Sequence, residues 1–414
     1  MAVAYAFVYF HRLSPAVMAV DLQTALETSG GFVGILASAY FYPYALMQFP
    51  AGLLSDSLGP RKTATCFLLV GAAGSALFGL ASSVEVATAA RVLVGFGVSM
   101  VFIPSLKLIS QWFRVREFAF MTAMMTTIGG LGALVAAGPL ALMTGWVGWR
   151  ATFEIVAAGT FVVAALVWIV VRDRPQDMGW PSPRQIDRSM VENQELPVTV
   201  PLWEGARRVV TERHFWPMAL WFFSSAGCFF GFAGLWAGPY LMDMYGLTRE
   251  EAGGILNMTA AGLILGSPII SFLSDRVLYS RKKVLIIFAW ILAAVIGLLN
   301  LYPSELPKFA LYAAVFMFAV SSTSICVIAF TTTKELFPIE IAGTAVGTVN
   351  LFPFLGGAIF QPLMGWILDT YSVSASGCYS LDGYKAMLLF LLVASAATVV
   401  STFLMKETFP SGRR

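Results

Sequence analysis

Charged residues are scarce in this chain of 414 residues. Only 12% are Asp, Glu, Lys or Arg, while 58% are hydrophobic and the mean hydropathy is +0.77. A soluble domain carries about 25% charged residues, so this composition leaves too little polar surface for water. The net charge is only +3, and no basic cluster forms the face that nucleic-acid binding needs. We therefore expect an integral membrane protein that does not bind nucleic acid.

Cysteine and histidine are also sparse, with four and two in the whole chain. No two cysteines form a C-x-x-C pair, and His11 and His214 lack the spacing of metal ligands. The sequence shows no nucleophile–base set and no phosphate-binding loop. We therefore expect no metal site, no cofactor and no enzymatic activity.

Long, continuous apolar runs dominate the chain instead. A helix needs roughly 20 such residues to cross a bilayer, whereas a transmembrane barrel shows short alternating segments. The runs predict an all-α membrane protein with twelve transmembrane helices, at residues 1–25, 31–54, 62–82, 86–112, 118–143, 149–171, 215–243, 250–274, 283–302, 308–335, 341–368 and 384–405. Residues 172–214 are rich in charge and proline, which predicts a solvated linker between bundles at 1–171 and 215–414.

The distribution of Lys and Arg predicts the orientation in the membrane. If the N-terminus is inside, the loops and tails on the cytoplasmic side carry nineteen Lys and Arg residues, and those on the other side carry four. Cytoplasmic loops are enriched in these residues. We expect both termini and the linker to be cytoplasmic, with the protein in the inner (cytoplasmic) membrane.

Two landmarks recur at nearly the same distance along the chain. Residues 52–62 read GLLSDSLGPRK, while residues 271–276 read SFLSDR and are followed by RKK at 281–283. Asp56 and Asp275 are thus 219 residues apart, and Phe113 and Phe337, which each follow a predicted helix, are 224 apart. This repetition predicts a duplicated six-helix unit. Transporters built from such repeats place the substrate site at the repeat interface, near the midplane.

These motifs resemble the major facilitator superfamily over nearly the whole length of the chain. Residues 52–62 match its loop signature, Gly-x-Leu-x-Asp-x-x-Gly-x-Arg-Lys, and a helix around Arg91 matches its Arg-x-x-x-Gly-x-Gly signature. The resemblance implies two pseudo-symmetric bundles that alternate access to a central site. It also implies a set of residues for gating and conformational change: Gly52, Asp56, Gly59, Arg61, Lys62, Arg91, Asp275 and Arg276. Asp56 would hold the two halves together, with Arg61, Arg114 or Arg116 as its partner. The alternative is that this basic loop only sets the topology of the chain in the membrane.

Two further segments resemble the organic-anion and organophosphate branches of that family. Residues 172–181, RDRPQDMGWP, are similar to the linker entry of organophosphate antiporters, and residues 9–16, YFHRLSPA, are similar to their first helix. In those relatives an arginine on this helix binds the anionic group, and Arg12 matches it. Phosphate-ester transporters carry a second arginine on the seventh helix, which is missing here. The resemblance therefore implies a small organic anion, and a carboxylate rather than a phosphate.

Arg12 is also unusual on physical grounds, because it lies about half-way through its predicted helix. A charge at the bilayer centre costs roughly 2.5–3.5 kcal/mol on insertion scales, so such a residue is a functional candidate. Lys107 either reaches the interface or binds the anion beside Arg12. Polar side chains expected to complete the substrate site are Tyr9, Tyr40, Tyr44, Asn257 and Asn350, although hydrogen bonding between helices remains the alternative for each.

Proton coupling has weaker candidates in the sequence, because no carboxylate lies clearly at the midplane. Asp21 and Glu154, near outer helix ends, are the two we select. The resulting hypothesis is a monomeric secondary transporter of a small organic anion. The alternatives are a transporter of another class of substrate, such as a drug, sugar or peptide, and a non-transporting receptor on the same fold.

Overall fold

The computed structural model describes residues 1–181, 202–374 and 377–409, and helices make up most of these ranges. Part of the predicted linker, residues 182–201, lies outside the described residues, as do residues 410–414. A single isolated antiparallel bridge, between Val373 and Tyr379, is present in the described part.

We number the helices in chain order and divide the helical stretch Gly138–Val170 at Gly148, whose φ of 78° and ψ of 161° are not helical. The helices are α1 (Ala2–Leu13 and Pro15–Ala25), α2 (Gly30–Ser38 and Phe41–Leu58), α3 (Pro60–Gly79), α4 (Val84–Ser99 and Phe102–Trp112), α5 (Val115–Val135 and 138–147), α6 (149–170), α7 (Phe215–Cys228, Phe229–Trp236 and Ala237–Tyr245), α8 (Arg249–Phe272 and Leu273–Leu278), α9 (Arg281–Leu301), α10 (Lys308–Ala319, Val320–Ser324 and Cys326–Leu336), α11 (Ile339–Val349 and Leu351–Asp369) and α12 (Leu381–Leu404). One more helix, Leu202–Thr211, precedes α7 and is called the linker helix.

The predicted number of spans is not confirmed. By length and hydropathy, ten helices of the described chain can cross a membrane, or eleven if the two pieces of α1 form one span. The two pieces of α1 are bent by 48°, because Pro15 has no backbone N–H to continue the helix. The first piece of α5 has an apolar stretch, Phe120–Val135, that is shorter than a full span.

Over the described ranges three helices contain π-helical segments, at Phe229–Trp236, Leu273–Leu278 and Val320–Ser324. Such segments offset the backbone hydrogen bonds and often mark functional sites. In the π-helical segment of α7, a side chain from α11 supplies a hydrogen bond to the backbone: Gln361 Nε2 donates to the Phe230 carbonyl at 2.9 Å. The Trp236 indole in turn donates to the Gln361 carbonyl at 2.9 Å. These bonds attach the irregular part of α7 to α11.

We call residues 1–171 the N-half and residues 215–409 the C-half. Within the N-half α3 packs against α4 and α6, and α1 against α5; within the C-half α9 packs against α12, α7 against α11 and α12, and α8 against α10. In the described part of the chain the halves meet mainly where α2 packs against α11, α5 against α8, and α1 against α7. The bundle has two ends. We call the end that contains Asp21 the Asp21 end, and the end that contains Asp56 the Asp56 end.

Candidate functional site

Arg12 lies between the two halves, surrounded by aromatic rings. Its side chain is 5% exposed. The guanidinium carbon lies 4.9 Å from the ring centre of Tyr44, 5.1 Å from Tyr9, 5.2 Å from Phe354 and 5.6 Å from Phe230. Two of these rings belong to the N-half and two to the C-half. We call this set of four rings the Arg12 cage.

The guanidinium of Arg12 has unused hydrogen-bonding capacity. Its Nε and Nη2 are buried without a hydrogen-bond partner, and no ion pair to it exists among the described residues. Each aromatic face attracts a cation by about 0.5–2 kcal/mol. A ring face does not, however, accept hydrogen bonds from the N–H groups that point outward in the plane of the guanidinium. An uncompensated buried charge is costly, and an anion entering the cage would relieve that cost. The arrangement thus suits a ligand that accepts in-plane N–H bonds.

The three predicted tyrosines, Tyr9, Tyr40 and Tyr44, lie at or next to this site. Tyr9 and Tyr44 contact Arg12 directly, whereas Tyr40 stacks behind Tyr44 with ring centres 5.6 Å apart. The hydroxyl of Tyr40 donates to the Val8 carbonyl at 3.4 Å. Tyr40 therefore supports the Tyr44 ring, and its hydroxyl is also within hydrogen-bonding reach of the Arg12 guanidinium.

Arg91 lies on the far side of Tyr40 and is 1% exposed. It donates to the carbonyl oxygens of His11 at 2.9 Å and Ala37 at 3.4 Å, which ties α4 to α1 and α2. Gly95 lies on the same helix, and a Cβ there would be 2.1 Å from the Tyr40 carbonyl oxygen. The contacts of Arg91 thus hold together the helices that carry Arg12 and the tyrosines.

The C-half side of the cage was missed by the sequence analysis, which named neither Phe230 nor Phe354. The Tyr44 and Phe354 rings have centres 4.6 Å apart, and Phe41 and Phe230 are 5.0 Å apart, so these contacts close the cage across the halves. Both phenylalanines lie in apolar helices with many aromatics, where no pattern separates them from lipid-facing residues. Their position depends on how the halves pack.

The two predicted asparagines both lie at helix breaks. Asn257 of α8 accepts a hydrogen bond from the Gly138 amide at 3.0 Å, next to the break in α5 at Ala137. Asn257 therefore links the two halves by accepting a hydrogen bond from the Gly138 N–H at the start of the second piece of α5. Asn350 lies at the break in α11, and none of the described cage contacts involves it.

Lys107 lies at the Asp56 end and not beside Arg12. Its Nζ is 2.5 Å from Asp56 Oδ1 and donates to the Ser55 carbonyl at 2.9 Å. The cation paired with Asp56 is therefore Lys107 of α4, whereas Arg61, one of the three predicted partners, hydrogen-bonds to the Trp168 carbonyl of α6. The side chain of Arg116 lies outside the described residues.

The loop signature around Gly59 is organised by a carboxylate from beyond α6. The Arg61 amide donates to Asp173 Oδ1 at 2.7 Å, and the Arg61 Nε donates to the Trp168 carbonyl at 2.7 Å. Gly59 has a φ of +87°, which turns the chain between α2 and α3, and a Cβ there would be 2.4 Å from Asp173 Oδ2. Gly52, by contrast, has open space around the position of a Cβ. Lys62 is exposed.

The second copy of the motif makes equivalent contacts through different residues: its aspartate pairs with a cation, and a carboxylate from beyond the last helix caps the next helix. Asp275 pairs with Arg281, not with the neighbouring Arg276, which is exposed. Arg281 also lies 3.4 Å from Glu335 on α10. Glu407, just beyond α12, accepts from the Arg281 amide at 3.0 Å.

Glu407 matches Asp173, since each follows the last helix of its half and caps the first turn of the helix after the repeated loop. Burial raises the pKa of Glu407. Hydrogen bonds from Ser280 and from the amides of Phe409 and Arg281 lower that pKa by more, so the net shift is downward. This symmetric pair was not visible in the sequence, because Asp173 and Glu407 lie in dissimilar segments.

We expect Asp173→Ala to destabilise the protein, because the first turn of α3 loses its acceptor. Loss of such a cap costs about 1 kcal/mol. Asp173→Asn keeps an oxygen acceptor without its charge and should lose less. Thermal unfolding in detergent measures both, with Asp382→Ala as the control, since Asp382 is exposed and accepts no described hydrogen bond. Equal stability of Asp173→Ala and the parent would contradict a capping role.

At the opposite end of the bundle an ion pair joins the halves. Asp21 of α1 pairs with Arg249 at the start of α8. The other proton-coupling candidate, Glu154, is exposed on α6. In the described residues no cluster of three or more His, Cys, Asp or Glu side chains could hold a metal ion.

The same end is closed by α2 and α11. Asp369 accepts hydrogen bonds from the amides of Gly30 at 2.9 Å and Gly31 at 2.7 Å, which are the first residues of α2. The helices approach so closely that a Cβ on Gly365 would lie 2.3 Å from the Gly30 carbonyl oxygen. An anionic side chain at a helix N-terminus is stabilising. We call these contacts, together with Asp21–Arg249, the Asp21-end seal.

Comparison with known proteins identifies one family and distant relatives. The sequence model of the Major Facilitator Superfamily matches residues 1–360. Over 365 residues the chain is 24% identical to the glycerol-3-phosphate transporter of Bacillus subtilis (strain 168), an alignment that covers 82% of this chain and 78% of that protein. Over 395 residues it is 22% identical to the hexuronate transporter of the same organism, covering 93% and 90%.

A similar structure is that of a bacterial homolog of the human lysosomal transporter Spinster, solved in an inward-facing and unoccupied conformation. It superimposes with a TM-score of 0.72 at 18% identity, and the match covers 98% of this chain and 96% of that one. This similarity and the family match confirm the predicted all-α membrane fold.

Proposed function

The chain belongs to the major facilitator superfamily, and on that premise we propose that it is a secondary transporter that moves a small organic anion across the membrane by alternating access. The observation that carries the proposal is the buried Arg12, enclosed by rings from both halves, with Nε and Nη2 unpartnered. A site shared between the halves is what alternating access requires. The two relatives above, transporters of glycerol-3-phosphate and of hexuronate, both carry anions.

We propose a monocarboxylate as the preferred substrate class. The guanidinium presents a fork of N–H donors that matches a carboxylate. Lys107, the other predicted cation, is paired with Asp56, so the described cage contains one positive charge only. A dianion bound there would keep one charge uncompensated in a low-dielectric site. Tyr9 and Tyr44 would flank the bound carboxylate.

The seal supports a proposal about conformation and orientation. The halves are joined at the Asp21 end, by Asp21–Arg249 and by Asp369 with the start of α2. With the Asp56 end placed in the cytoplasm, as the Lys and Arg distribution predicts, this arrangement is closed toward the outer side of the membrane. We propose an inner-membrane location, cytoplasmic termini, a monomer, and no enzymatic activity.

The roles of the charged loops and of proton coupling follow from that arrangement. Asp56–Lys107 and Asp275–Arg281 lie within their own halves, where they would rigidify the loops that meet when the Asp56 end closes. Asp21 is the better of the two proton-coupling candidates, because its pairing with Arg249 depends on its charge, while Glu154 is exposed.

Uptake into proteoliposomes tests the proposed function. The purified protein would be reconstituted and offered labelled monocarboxylates, dicarboxylates, phosphate monoesters and neutral sugars of similar size. We expect uptake and counterflow with a monocarboxylate and competition mainly by other monocarboxylates. Uptake of the neutral sugars, without competition from carboxylates, would refute the anion assignment.

Substitution of Lys107 distinguishes its two predicted roles, which are to reach the membrane interface or to bind the anion beside Arg12. Because Lys107 contacts Asp56 and not the cage, we expect Lys107→Met to alter the rate of transport while leaving substrate affinity unchanged. Binding measured by thermal shift and transport measured in proteoliposomes give the two quantities. A large loss of affinity with an unchanged rate would instead restore Lys107 to the substrate site.

A further inference from the structure

The linker helix, Leu202–Thr211, has three distinct faces. Gly205 and Val209, four residues apart, turn inward: Val209 is fully buried, and Gly205 faces Ile341 and Thr344 of α11. Residues three and four apart lie on one side of a helix, so this is the face packed on the C-half.

A second face carries solvent-exposed charge that is internally balanced. Arg208 pairs with Glu204 at 2.5 Å, one turn away. Thr211 is exposed on the same side. This side has the character of a helix surface in contact with water.

The third face is apolar, and within the described ranges no residue covers it. Trp203 is 82% exposed, and Val210, seven residues later on the same side, is 38% exposed. The surface continues directly onto α7, because the Trp216 indole donates to the Val210 carbonyl at 3.0 Å and Trp216 is itself 53% exposed. The membrane-spanning part of α7 begins at Phe215, so Trp216 lies where the span meets the loop.

Trp203, Val210 and Trp216 thus form one exposed apolar surface that is continuous with the lipid-facing side of α7. Tryptophan is enriched at the level of the lipid headgroups, where its ring is apolar and its N–H is polar. Arg207, one turn after Trp203, and Arg213, just beyond the helix, are exposed next to this surface. Among the described residues Arg207 has no acidic partner.

We propose that the linker helix lies in the lipid–water interface beside α7 and binds anionic phospholipid headgroups through Arg207 and Arg213. An amphipathic helix with an apolar side rich in tryptophan and basic residues near its rim lies in the interface plane. The occupant is lipid and not a soluble protein, because the apolar face extends the surface that already faces the bilayer. The inference does not depend on the identity of the transported substrate.

The depth of the helix can be measured with nitroxide labels on the full chain, in a background lacking its four cysteines, reconstituted into vesicles. A label at Trp203 should collide with oxygen more than with a water-soluble nickel chelate, and a label at Thr211, on the water-facing side, should show the reverse. Equal access of the chelate to both positions would overturn the interfacial placement. Protection at 203 only after addition of cytosolic protein would overturn the choice of lipid.

Headgroup selectivity is tested in vesicles of phosphatidylcholine with and without phosphatidylglycerol. Retention of phosphatidylglycerol by the purified protein, measured by native mass spectrometry, should fall roughly 5-fold for each of Arg207→Gln and Arg213→Gln. The matched control is Arg208→Gln, which should have little effect because Glu204 already neutralises Arg208. Equal retention by the double variant and the parent would refute headgroup binding through these arginines.

Discussion

Arg12→Ala is expected to abolish anion binding and transport while leaving the fold intact. Arg12 is the cation of the cage, and truncating one partner of a buried charge pair costs about 2–5 kcal/mol, so affinity should fall by at least roughly 30-fold. Stability should not fall in parallel. A buried charge without a partner is costly, so its removal is neutral or stabilising apart from the lost packing. Substrate-induced thermal shift and proteoliposome uptake measure the two consequences separately.

Controls make the role of Arg12 specific. Arg12→Lys keeps the charge but loses the planar fork, so we expect intermediate affinity. Lys107→Met removes a cation of the same half that is bound to Asp56, and it should leave affinity unchanged. If Arg12→Ala binds and transports the anion as the parent does, the cage is not the substrate site.

Gly365→Ala is expected to open the Asp21 end. The added Cβ would lie 2.3 Å from the Gly30 carbonyl oxygen and 2.8 Å from the Gly31 nitrogen, both backbone atoms that cannot move alone. The start of α2 must then separate from α11, and Asp369 loses the hydrogen bonds to Gly30 and Gly31. A hydrogen bond to a charged group contributes about 1.5–3 kcal/mol, so the ratio of open to closed conformers should rise by roughly 10- to 150-fold for each bond lost.

Spin labels on Thr24 and Thr370, which are exposed and lie on opposite halves, report this opening as a longer distance. The matched control is Gly347→Ala on the same helix, where a Cβ meets nothing within 4 Å. Asp369→Asn weakens the seal without adding bulk, so it should shift the distances in the same direction even if Gly365→Ala folds poorly. Unchanged distances in both variants would show that these contacts do not close the Asp21 end.

Several features were predictable because they depend on local sequence. The apolar runs indicate membrane helices whatever their packing, and Arg12 stands out because a charge in such a run is costly. The turn at Gly59 follows from a residue that tolerates positive φ. The repeated aspartates also pointed to a duplicated unit, although the count of twelve spans is not confirmed.

Other features depend on which helices meet, and no local pattern contains that information. The partner of Asp56 is Lys107 from α4, and the partner of Asp275 is Arg281, because side-chain reach and helix packing select among several nearby cations. Asp173 and Glu407 cap equivalent helices although their surrounding sequences differ.

The sequence by itself determined that this protein is a helical membrane protein with a conspicuous charge at Arg12, since burial in hydrocarbon constrains composition residue by residue. The tertiary structure alone decided what surrounds that charge. Phe230 and Phe354 reach Arg12 only because the halves pack with α7 and α11 against α1 and α2. Lys107 is excluded from the cage for the same reason. Long-range packing, not hydrophobicity, turns one buried arginine into a candidate anion site.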